Sequence, residues 1–410
     1  MKTIAIIGSC DTKYREITYM RQLLERWEVK PVVIDVATGP EPSRGYDISR
    51  EQVAQAGGSA WKEMEGKSKG EKIAFMMKAV AKLTSKLYQE GKIQGVVSAG
   101  GLQNTVMAVS AMQALPIGVP KVMATTVACG RKTFDSVVGN KDIVVIPSIC
   151  DFTGLNSVTR KILENTCACC AGMVKCAGKA IEKKDRPIVG VTLMGITNTG
   201  GCAAIDELNR LGIEALGFHA TGTGGPIMEQ MAADGLLDGI LDLTIHEVTQ
   251  EYFHGGFSYS EQAKERLVKG PAYKVPMVIC PGGMDFIDFQ KNELPDRMEK
   301  RRWMYHNADT LHIKLLPDEA EAVAARIADR LERITYPVKL LLPTEGMRHN
   351  TREGEELYEP RVDKILLERL KRVKNPYIQM VVIPGNLDTK DWGIQAAHYM
   401  LQELKEFGKL

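Results

Sequence analysis

Five segments of the chain place glycines and hydroxyl side chains directly after an apolar run, and this combination suits the binding of an anion. They lie at residues 8–13, 98–105, 124–130, 218–225 and 280–285. Glycine lets the backbone approach a ligand closely, and the first N–H groups of a following helix have no partner inside that helix. Serine and threonine hydroxyls add further donors. The pattern therefore predicts phosphate-binding loops at the ends of strands.

The predicted ligand contacts come from the first four of these loops. They are Asp11, Thr12, Lys13, Gly100, Gly101, Gln103, Asn104, Thr105, Thr125, Thr126, Gly130, Thr221, Gly222, Gly224 and Gly225. None of the loops has the P-loop pattern G-x-x-x-x-G-K-[ST], and the 218–225 loop only approximates the dinucleotide pattern G-x-G-x-x-G. One such loop is typical of a tight turn in any α/β fold, whereas five of them after apolar runs favour a ligand site.

Two side chains beside these loops could act as general acid or base. His219 lies within the 218–225 loop and is of a type that titrates near neutral pH, and Asp285 ends the fifth loop. The alternative for His219 is a structural hydrogen bond to a loop carbonyl. Asp11, Asp151 and Asp242, like Asp285, follow predicted strands, where a carboxylate could hold Mg²⁺ through water or cap a helix. Capping is the preferred interpretation for Asp11, and a functional role for Asp285.

Two further groups of residues invite a metal-site interpretation that their spacing does not support. His246, Glu247 and His254 match no zinc-binding pattern. The cysteines within 167–170, together with Cys176, fall on a predicted helix of small apolar side chains, where cysteine behaves as a small hydrophobic residue. We therefore predict no metal site built from protein ligands alone.

Apolar strands and amphipathic helices alternate along the whole chain. Residues 4–7 form an apolar run, and apolar side chains then recur at helical spacing over 17–27. The alternation restarts after the charged segment 182–187, which ends in proline and predicts a domain boundary. We predict an α/β fold with mainly parallel sheets covered by helices, divided into an N-terminal lobe (1–184) and a C-terminal lobe (185–410). Such sheets bind ligands at the carboxyl ends of their strands.

The composition excludes several classes of function. Hydrophobic residues make up 44% and charged residues 25% of the 410 residues, the balance of an ordinary globular protein. The net charge is +2, with no basic patch or tail, so we expect no nucleic-acid partner. No apolar run approaches the roughly 20 residues that span a bilayer. The first residues are interpreted as a strand and not as a signal peptide, so the 9 cysteines are expected to be reduced thiols in the cytoplasm.

The loops, in this order, resemble those of the ATP-binding family named after the N-terminal domain of the tomato mosaic virus resistance protein. Its bacterial members form an uncharacterised protein family. The resemblance runs from Gly8 to about Asp363, and its most specific stretches are 115–121, 151–156, 218–225, 241–244 and 281–285. It implies two α/β lobes, the first Rossmann-like, with ATP held near the loops of the first lobe. We expect ATP, with Mg²⁺, to lie in the cleft between the two lobes. The resemblance also implies a homodimer.

The chain departs from the family pattern in three of its loops. The family's opening loop usually reads G-T-x-D-T-K-G, whereas Ser9 and Tyr14 replace its first threonine and last glycine. The second loop, usually G-G-S-x-G-T, has Gln103 and Asn104 in its middle, whose amides could still donate to a phosphate. The third loop, usually S-T-x-A-S-G, differs at 125–130.

The sequence therefore predicts an ATP-binding protein and leaves its reaction, if any, open. One alternative is an enzyme that acts on a small phosphorylated or carboxylated metabolite, with His219 and Asp285 as acid and base. Another is a non-catalytic module that senses a nucleotide and presents a surface to a partner. The motif G-x-x-D-T-K of 8–13 occurs again at 385–390, and the sequence does not decide whether this second copy is functional.

Overall fold

The computed structural model describes residues 1–128, 138–139, 141–177 and 185–410. The chain divides into two units, Met1–Glu182 and Lys183–Leu410. Each unit is built around its own parallel sheet.

The first unit contains a five-stranded parallel sheet. Its strands are β1 (Thr3–Gly8), β2 (Lys30–Asp35), β3 (Gly95–Gly100), β4 (Lys121–Thr125) and β5 (Val144–Pro147). They are arranged in the order β2-β1-β3-β4-β5, and every residue of β1, β3 and β4 is buried. The chain leaves β1 towards one side and returns to the other side of it at β3. This reversal makes a topological switch point between β1 and β3.

Helices cover both faces of this sheet. They are α1 (Tyr14–Arg26), α2 (Arg50–Gly57), α3 (Trp61–Glu65), α4 (Lys69–Gln89), α5 (Leu102–Gln113) and α6 (Ser157–Cys176). Ile4 and Ile6 of β1 pack with α1 and α6, whereas Ala5 and Ile7 pack with α2, α4 and α5. Successive side chains of a strand point to opposite faces, so an unbroken apolar run indicates burial on both. The first unit is thus doubly wound and Rossmann-like, as predicted.

The cysteines of α6 belong to one of these cores. Cys167 and Cys170 are buried against α1 and the sheet, and burial raises the pKa of both thiols. This confirms the prediction that they pack as small hydrophobic side chains. Among the described cysteines, none forms a disulfide.

The second unit repeats the same strand order with one strand more. Its strands are β6 (Ile188–Leu193), β7 (Glu214–His219), β8 (Gly239–Thr244), β9 (Met277–Gly282), β13 (Val338–Pro343) and β14 (Ile378–Ile383). The parallel sheet runs β14-β13-β9-β8-β6-β7, so its switch point lies between β6 and β8. The helices are α7 (Asn198–Arg210), α8 (Gly224–Ala233), α9 (His246–Phe253), α10 (Lys269–Ala272), α11 (Pro317–Leu331), α12 (Pro360–Leu370) and α13 (Lys390–Glu406).

A small antiparallel sheet is inserted between β9 and β13. It consists of β10 (Phe286–Gln290), β11 (Trp303–Tyr305) and β12 (Thr310–Lys314), in the order β10-β12-β11. Its three strands are not among those predicted from the sequence. Its strands contain Asp288, His312 and Lys314, which are buried. Polar residues at buried positions hide the apolar pattern by which strands are found.

The fold class is α/β, as predicted, with both main sheets parallel. Of the helices in the described ranges, none is both long enough and apolar enough to cross a membrane.

Candidate functional site

A cavity of about 560 Å³ opens at the switch point of the first sheet. The loops that follow β1, β2 and β3 line it, together with the start of α4 and Asp151. Six of the residues that were predicted to bind a ligand border this one cavity: Asp11, Thr12, Lys13, Gly101, Gln103 and Asn104. The carboxyl ends of parallel strands meet at one edge of a sheet, so these residues come together although they lie far apart in the sequence.

Two long helices begin at this cavity without a side-chain cap. The N-cap residue of α1 is Lys13 and that of α5 is Gly101, and within the described chain neither helix start donates a hydrogen bond to the side chain of its N-cap residue. By contrast, α4 is capped reciprocally by Ser68 and Glu71. The start of a helix carries a partial positive charge and outward-pointing N–H groups. Two uncapped starts on one cavity are suited to an anion. The N-cap residue of α1 is Lys13 and not Asp11, and no described side chain caps the helix. The helix-cap interpretation of Asp11 was therefore wrong.

Three lysines and two carboxylates border the cavity. Lys13 is half-buried and its ammonium donates to the carbonyl of Phe152. Lys69 and Lys72 lie in the first turn of α4 and were not predicted. The capping pattern at 68–71 could have located this helix start, but nothing in the sequence connects it with the loops after β1 and β3.

The carboxylates are Asp11 and Asp151, and both border the same cavity as the lysines. Asp11 Oδ1 accepts a 3.1 Å hydrogen bond from the hydroxyl of Thr12, and Asp151 Oδ1 accepts one of 2.8 Å from the amide of Phe152. Two carboxylates beside an anion site are suited to hold a magnesium ion, which keeps several of its waters in proteins.

The side chain of Asn104 is buried at the edge of the cavity with one atom unused. Its Nδ2 donates to Ser98 Oγ and to the carbonyl of Ala99, each at 3.0 Å. Its Oδ1 is buried and has no hydrogen-bond partner in the described residues. The bond to a carbonyl identifies the nitrogen, so the unused atom is an acceptor. An acceptor of this kind is suited to a hydroxyl or amine group of a ligand.

Other predicted donors are engaged by the protein itself. Gln103 Nε2 donates to Thr38 Oγ1 at 2.6 Å. The hydroxyl of Thr105 bonds to the Gly101 carbonyl and to Thr125 Oγ1, at 2.9 and 2.7 Å. These bonds hold the second and third loops in place. Gln103, Thr105 and Thr125 therefore support the shape of the cavity through these hydrogen bonds.

The remaining first-unit candidates have mixed positions. A Cβ atom at Gly100 would lie 2.8 Å from the Cβ of Asn104, so this glycine allows α5 to pack closely on β3. The amide of Thr126 donates to the Gly100 carbonyl at 3.3 Å and thereby joins the third loop to the second. Gly130 lies outside the described residues.

In the second unit, the 218–225 loop follows the edge strand β7 and begins α8. His219 is exposed, and its Nδ1 lies 3.1 Å from Thr221 Oγ1. Gly222 has a φ of +95°, which favours glycine, and a Cβ at Gly224 would meet the His219 carbonyl at 2.1 Å. Close packing within this unit therefore accounts for these two glycines. The acid/base role of His219 stays a prediction.

Gly225 leads into a buried ion cluster around Arg266. The guanidinium pairs with Asp242, Glu229 and Glu247, and all four side chains are at most 1% exposed. Burial raises the pKa of Glu229 and of Glu247, although the charge of Arg266 opposes this. The amide of Gly225 donates to Glu247 at 3.0 Å. Because its carboxylate is engaged in this way, Glu247 is not available to share a metal with His246 and His254.

Asp285 is also an ion-paired carboxylate. It is fully buried and contacts Lys314 Nζ at 2.7 Å and Arg348 Nε at 2.9 Å. Burial alone would raise the pKa of Asp285, but Arg348 and Lys314 together hold it well below its usual range. A carboxylate that stays ionised at neutral pH cannot donate a proton, so this geometry does not favour the acid role of Asp285.

The second copy of G-x-x-D-T-K connects β14 to α13. Thr389 caps α13 by accepting from the amide of Trp392, and Asp388 accepts from the amide of Gly200 at 2.9 Å. Gly385 and Thr389 border a cavity of about 950 Å³. In this copy, the side chains of Asp388 and Thr389 accept hydrogen bonds from backbone amides of the protein itself.

Two family profiles match almost the whole chain. The N-terminal domain of "Uncharacterised protein family (UPF0261)" matches residues 2–179, and the C-terminal domain of the same family matches residues 186–404.

Curated relatives match over the same length. A UPF0261 protein of Clostridium tetani is 33% identical and covers 99% of this chain and 100% of its own. The ToMV susceptible protein tm-1(GCR26) of Solanum lycopersicum is 30% identical over 93% of this chain. The chain corresponds to only 53% of that tomato protein.

Solved structures offer only weak likenesses. Acinetobacter baumannii MurG aligns over 100% of both chains with a TM-score of 0.23 and 12% identity. The UDP-GlcNAc 2-epimerase of Methanocaldococcus jannaschii aligns over 98% of this chain and 93% of its own, with a TM-score of 0.22 and 12% identity. Scores this low carry no functional argument.

Proposed function

The chain belongs to the uncharacterised protein family UPF0261, and from the cavity at the switch point of its first sheet we propose that it binds a nucleotide, ATP, in the first unit. One observation carries the proposal. The uncapped starts of α1 and α5 and the side chains of Lys13, Lys69 and Lys72 all border one cavity. Helix starts and ammonium groups are the groups that proteins use to bind phosphates.

The cavity fits such a ligand in size and chemistry. Its volume of about 560 Å³ lies within the range of roughly 300–1,000 Å³ that is usual for small-molecule sites. The phosphates would lie at the two helix starts, and the acceptor Asn104 Oδ1 would meet a hydroxyl or amine group of the ligand. Asp11 and Asp151 would hold Mg²⁺ through water, and this ion would neutralise part of the phosphate charge.

The resemblance to an ATP-binding family supports the triphosphate in particular. We also propose that the protein acts in the cytoplasm as a homodimer, in keeping with that resemblance.

Calorimetric titration with ATP, ADP, AMP and adenosine tests the proposal. We expect the affinity to fall in that order, because each phosphate that is removed loses contacts with the lysines and the helix amides. Omitting Mg²⁺ should weaken the binding of ATP more than that of AMP. Adenosine that binds as tightly as ATP would show that the cavity does not recognise phosphate, and no binding of any of the four would overturn the proposal.

Turnover is a separate question from binding. Release of inorganic phosphate from ATP, measured with and without Mg²⁺, distinguishes an ATP-consuming enzyme from a module that only senses the nucleotide. ATP binding without phosphate release would support the sensing module. Phosphate release that Lys72→Ala and Asp151→Asn both slow would support catalysis in this cavity.

A further inference from the structure

A second cavity, of about 950 Å³, opens at the carboxyl edge of the second sheet. The loops that follow β13 and β14 line it together with one face of α12, so it is built wholly from residues of the second unit. Ligands of parallel α/β proteins bind at this edge of the sheet. The volume lies near the upper end of the range of roughly 300–1,000 Å³ that is usual for small-molecule sites. The cavity therefore has room for a small molecule.

Four residues that border this cavity surround a single depression on the surface of α12. They lie at positions i, i+3, i+4 and i+7 of the helix and are Pro360, Asp363, Lys364 and Leu367. Residues three and four positions apart on a helix are neighbours, with roughly 5–6 Å between their Cβ atoms. Four residues at this spacing form a hole that accepts one side chain of a packing partner. Asp363 and Lys364 therefore stand on opposite sides of a space that one small group can fill.

Asp363 brings a buried carboxylate to this depression. Its Oδ1 accepts a 2.6 Å hydrogen bond from Lys314 Nζ, and Lys314 bonds in turn to Asp285. The side chain of Asp363 is 10% exposed, and the residue borders the cavity. Within the described residues, Lys314 is the one side chain that donates to this carboxylate, and it does so at Oδ1. The second oxygen, Oδ2, is therefore available to a ligand.

The electrostatics of Asp363 favour a cationic group in this position. Burial raises the pKa of Asp363 to about 6, although Lys314 opposes the shift. Because burial makes the negative charge costly, a second cation beside Oδ2 would stabilise the carboxylate, and an anion there would be repelled. An ammonium group supplies both the positive charge and N–H donors.

The rest of the cavity favours a ligand that also carries a carboxylate and an apolar group. Lys371 borders the cavity but is paired with Glu368 at 2.9 Å. Lys364 is exposed, and its flexible ammonium can meet a carboxylate above the depression. Leu367 and Val382 supply apolar surface, and Val382 is 53% exposed, so a ligand that covers it gains hydrophobic free energy.

We propose that this cavity is a second ligand site, which takes an α-amino acid with an apolar side chain. The ammonium group of the ligand pairs with Asp363 Oδ2 and its carboxylate with Lys364. Its side chain lies against Leu367 and Val382. An amine without the carboxylate loses the contact with Lys364, and a carboxylate without the amine is placed beside Asp363 with no compensating charge.

Three molecules that share one carbon skeleton test the site. They are L-leucine, isoamylamine, which is leucine without its carboxylate, and isocaproate, which is leucine without its amine. Each is titrated into nucleotide-free wild-type protein and followed by calorimetry. We expect L-leucine to bind most tightly and isoamylamine roughly two- to fivefold more weakly, because the pair with an exposed lysine contributes little. Isocaproate should bind at least about tenfold more weakly than L-leucine, because it leaves the carboxylate of Asp363 unpaired.

Two substitutions separate the roles of the charged residues. Asp363→Asn keeps the shape but removes the charge, and should lower the affinity for both L-leucine and isoamylamine roughly tenfold or more. Lys364→Gln should weaken L-leucine about two- to fivefold and leave isoamylamine unchanged. The matched controls are Asp329→Asn and Lys374→Gln, at exposed positions that do not border the cavity, and neither should change any of the affinities.

Several results would overturn the site. One is the absence of saturable binding of L-leucine to the wild-type protein, and another is isocaproate that binds as tightly as L-leucine. Unchanged affinity for L-leucine in folded Asp363→Asn would also contradict it. If Asp363→Asn does not fold, the exposed substitution Lys364→Gln decides, since equal losses for L-leucine and isoamylamine would exclude the assigned orientation. None of these results bears on the nucleotide cavity of the first unit, because nucleotide is absent from the titrations.

Discussion

Gln103 Nε2 donates a 2.6 Å hydrogen bond to Thr38 Oγ1, and this bond spans the switch point of the first sheet. Thr38 follows β2 and Gln103 lies in the first turn of α5 after β3, whereas β1 lies between those two strands in the sheet. Both residues border the cavity. The bond thus joins the two walls between which the nucleotide is proposed to lie, and it sets the width of the cavity.

Lysines on α4 should contribute to nucleotide binding according to their position. Lys72→Ala removes an ammonium group from the cavity, and we expect the affinity for ATP to fall roughly two- to fivefold at low salt. Lys86→Ala is the control, because this exposed lysine lies near the other end of the same helix and pairs with Glu90. Titration at low and high ionic strength should show the difference shrinking as salt screens the charge. Equal losses in both variants would argue against a local contact.

Adjacent glycines after β3 should respond differently to alanine. A Cβ at Gly100 would lie 2.8 Å from the Cβ of Asn104, so Gly100→Ala should lower the free energy of unfolding by about 1–3 kcal/mol. A Cβ at Gly101 has only Thr126 Oγ1 nearby, at 3.7 Å, and the φ of −81° suits alanine. Gly101→Ala should therefore change stability little. Urea unfolding of both variants measures this contrast, and a similar loss in each would contradict it.

The buried ion cluster makes Gly225 intolerant of a side chain. A Cβ there would lie 2.1 Å from both Arg266 Nε and Glu247 Oε2. Gly225→Ala should separate this pair and destabilise the protein by about 3–5 kcal/mol. Gly172→Ala on α6 meets no atom within 4 Å and should instead stabilise by roughly 0.5–1 kcal/mol, because alanine favours a helix. Thermal unfolding followed by circular dichroism compares the two, and a Gly225→Ala protein as stable as wild type would exclude the clash.

Asp363 should make stability depend on pH between about 4 and 6. Burial raises the pKa of its carboxyl group to about 6, although Lys314 opposes the shift. The folded state therefore binds this proton more tightly than the unfolded state, whose pKa is about 4. The resulting stability is fully present below about pH 4 and is lost as the pH rises through about 6, on the order of 2 kcal/mol.

The matched variants isolate this carboxyl group. Asp363→Asn should remove this part of the pH dependence, whereas Asp329→Asn on the exposed side of α11 should leave it unchanged. Urea unfolding at several pH values from 4 to 8 measures the slope. A slope that survives in Asp363→Asn would assign it to another group.

Only part of the candidate site follows from local sequence signals. The loops after β1 and β3 were found because each combines a buried apolar strand with glycine and a helix start, and these are local signals. Lys69 and Lys72 were missed because their place at the cavity depends on how α4 crosses the sheet. The antiparallel insertion was missed because Asp288, His312 and Lys314 interrupt its apolar pattern.

The sequence by itself determined the strands of the two parallel sheets and the edge at which ligands are expected to bind, because hydrophobic periodicity and glycine placement act over a few residues. Only the tertiary structure decided which polar atoms are paired and which have no hydrogen-bond partner in the described part of the chain. Asp285 and Arg348 are 63 positions apart in the chain, yet their ion pair makes one a fixed carboxylate and orients the other. Such pairings depend on contacts between distant segments, and no local pattern encodes them.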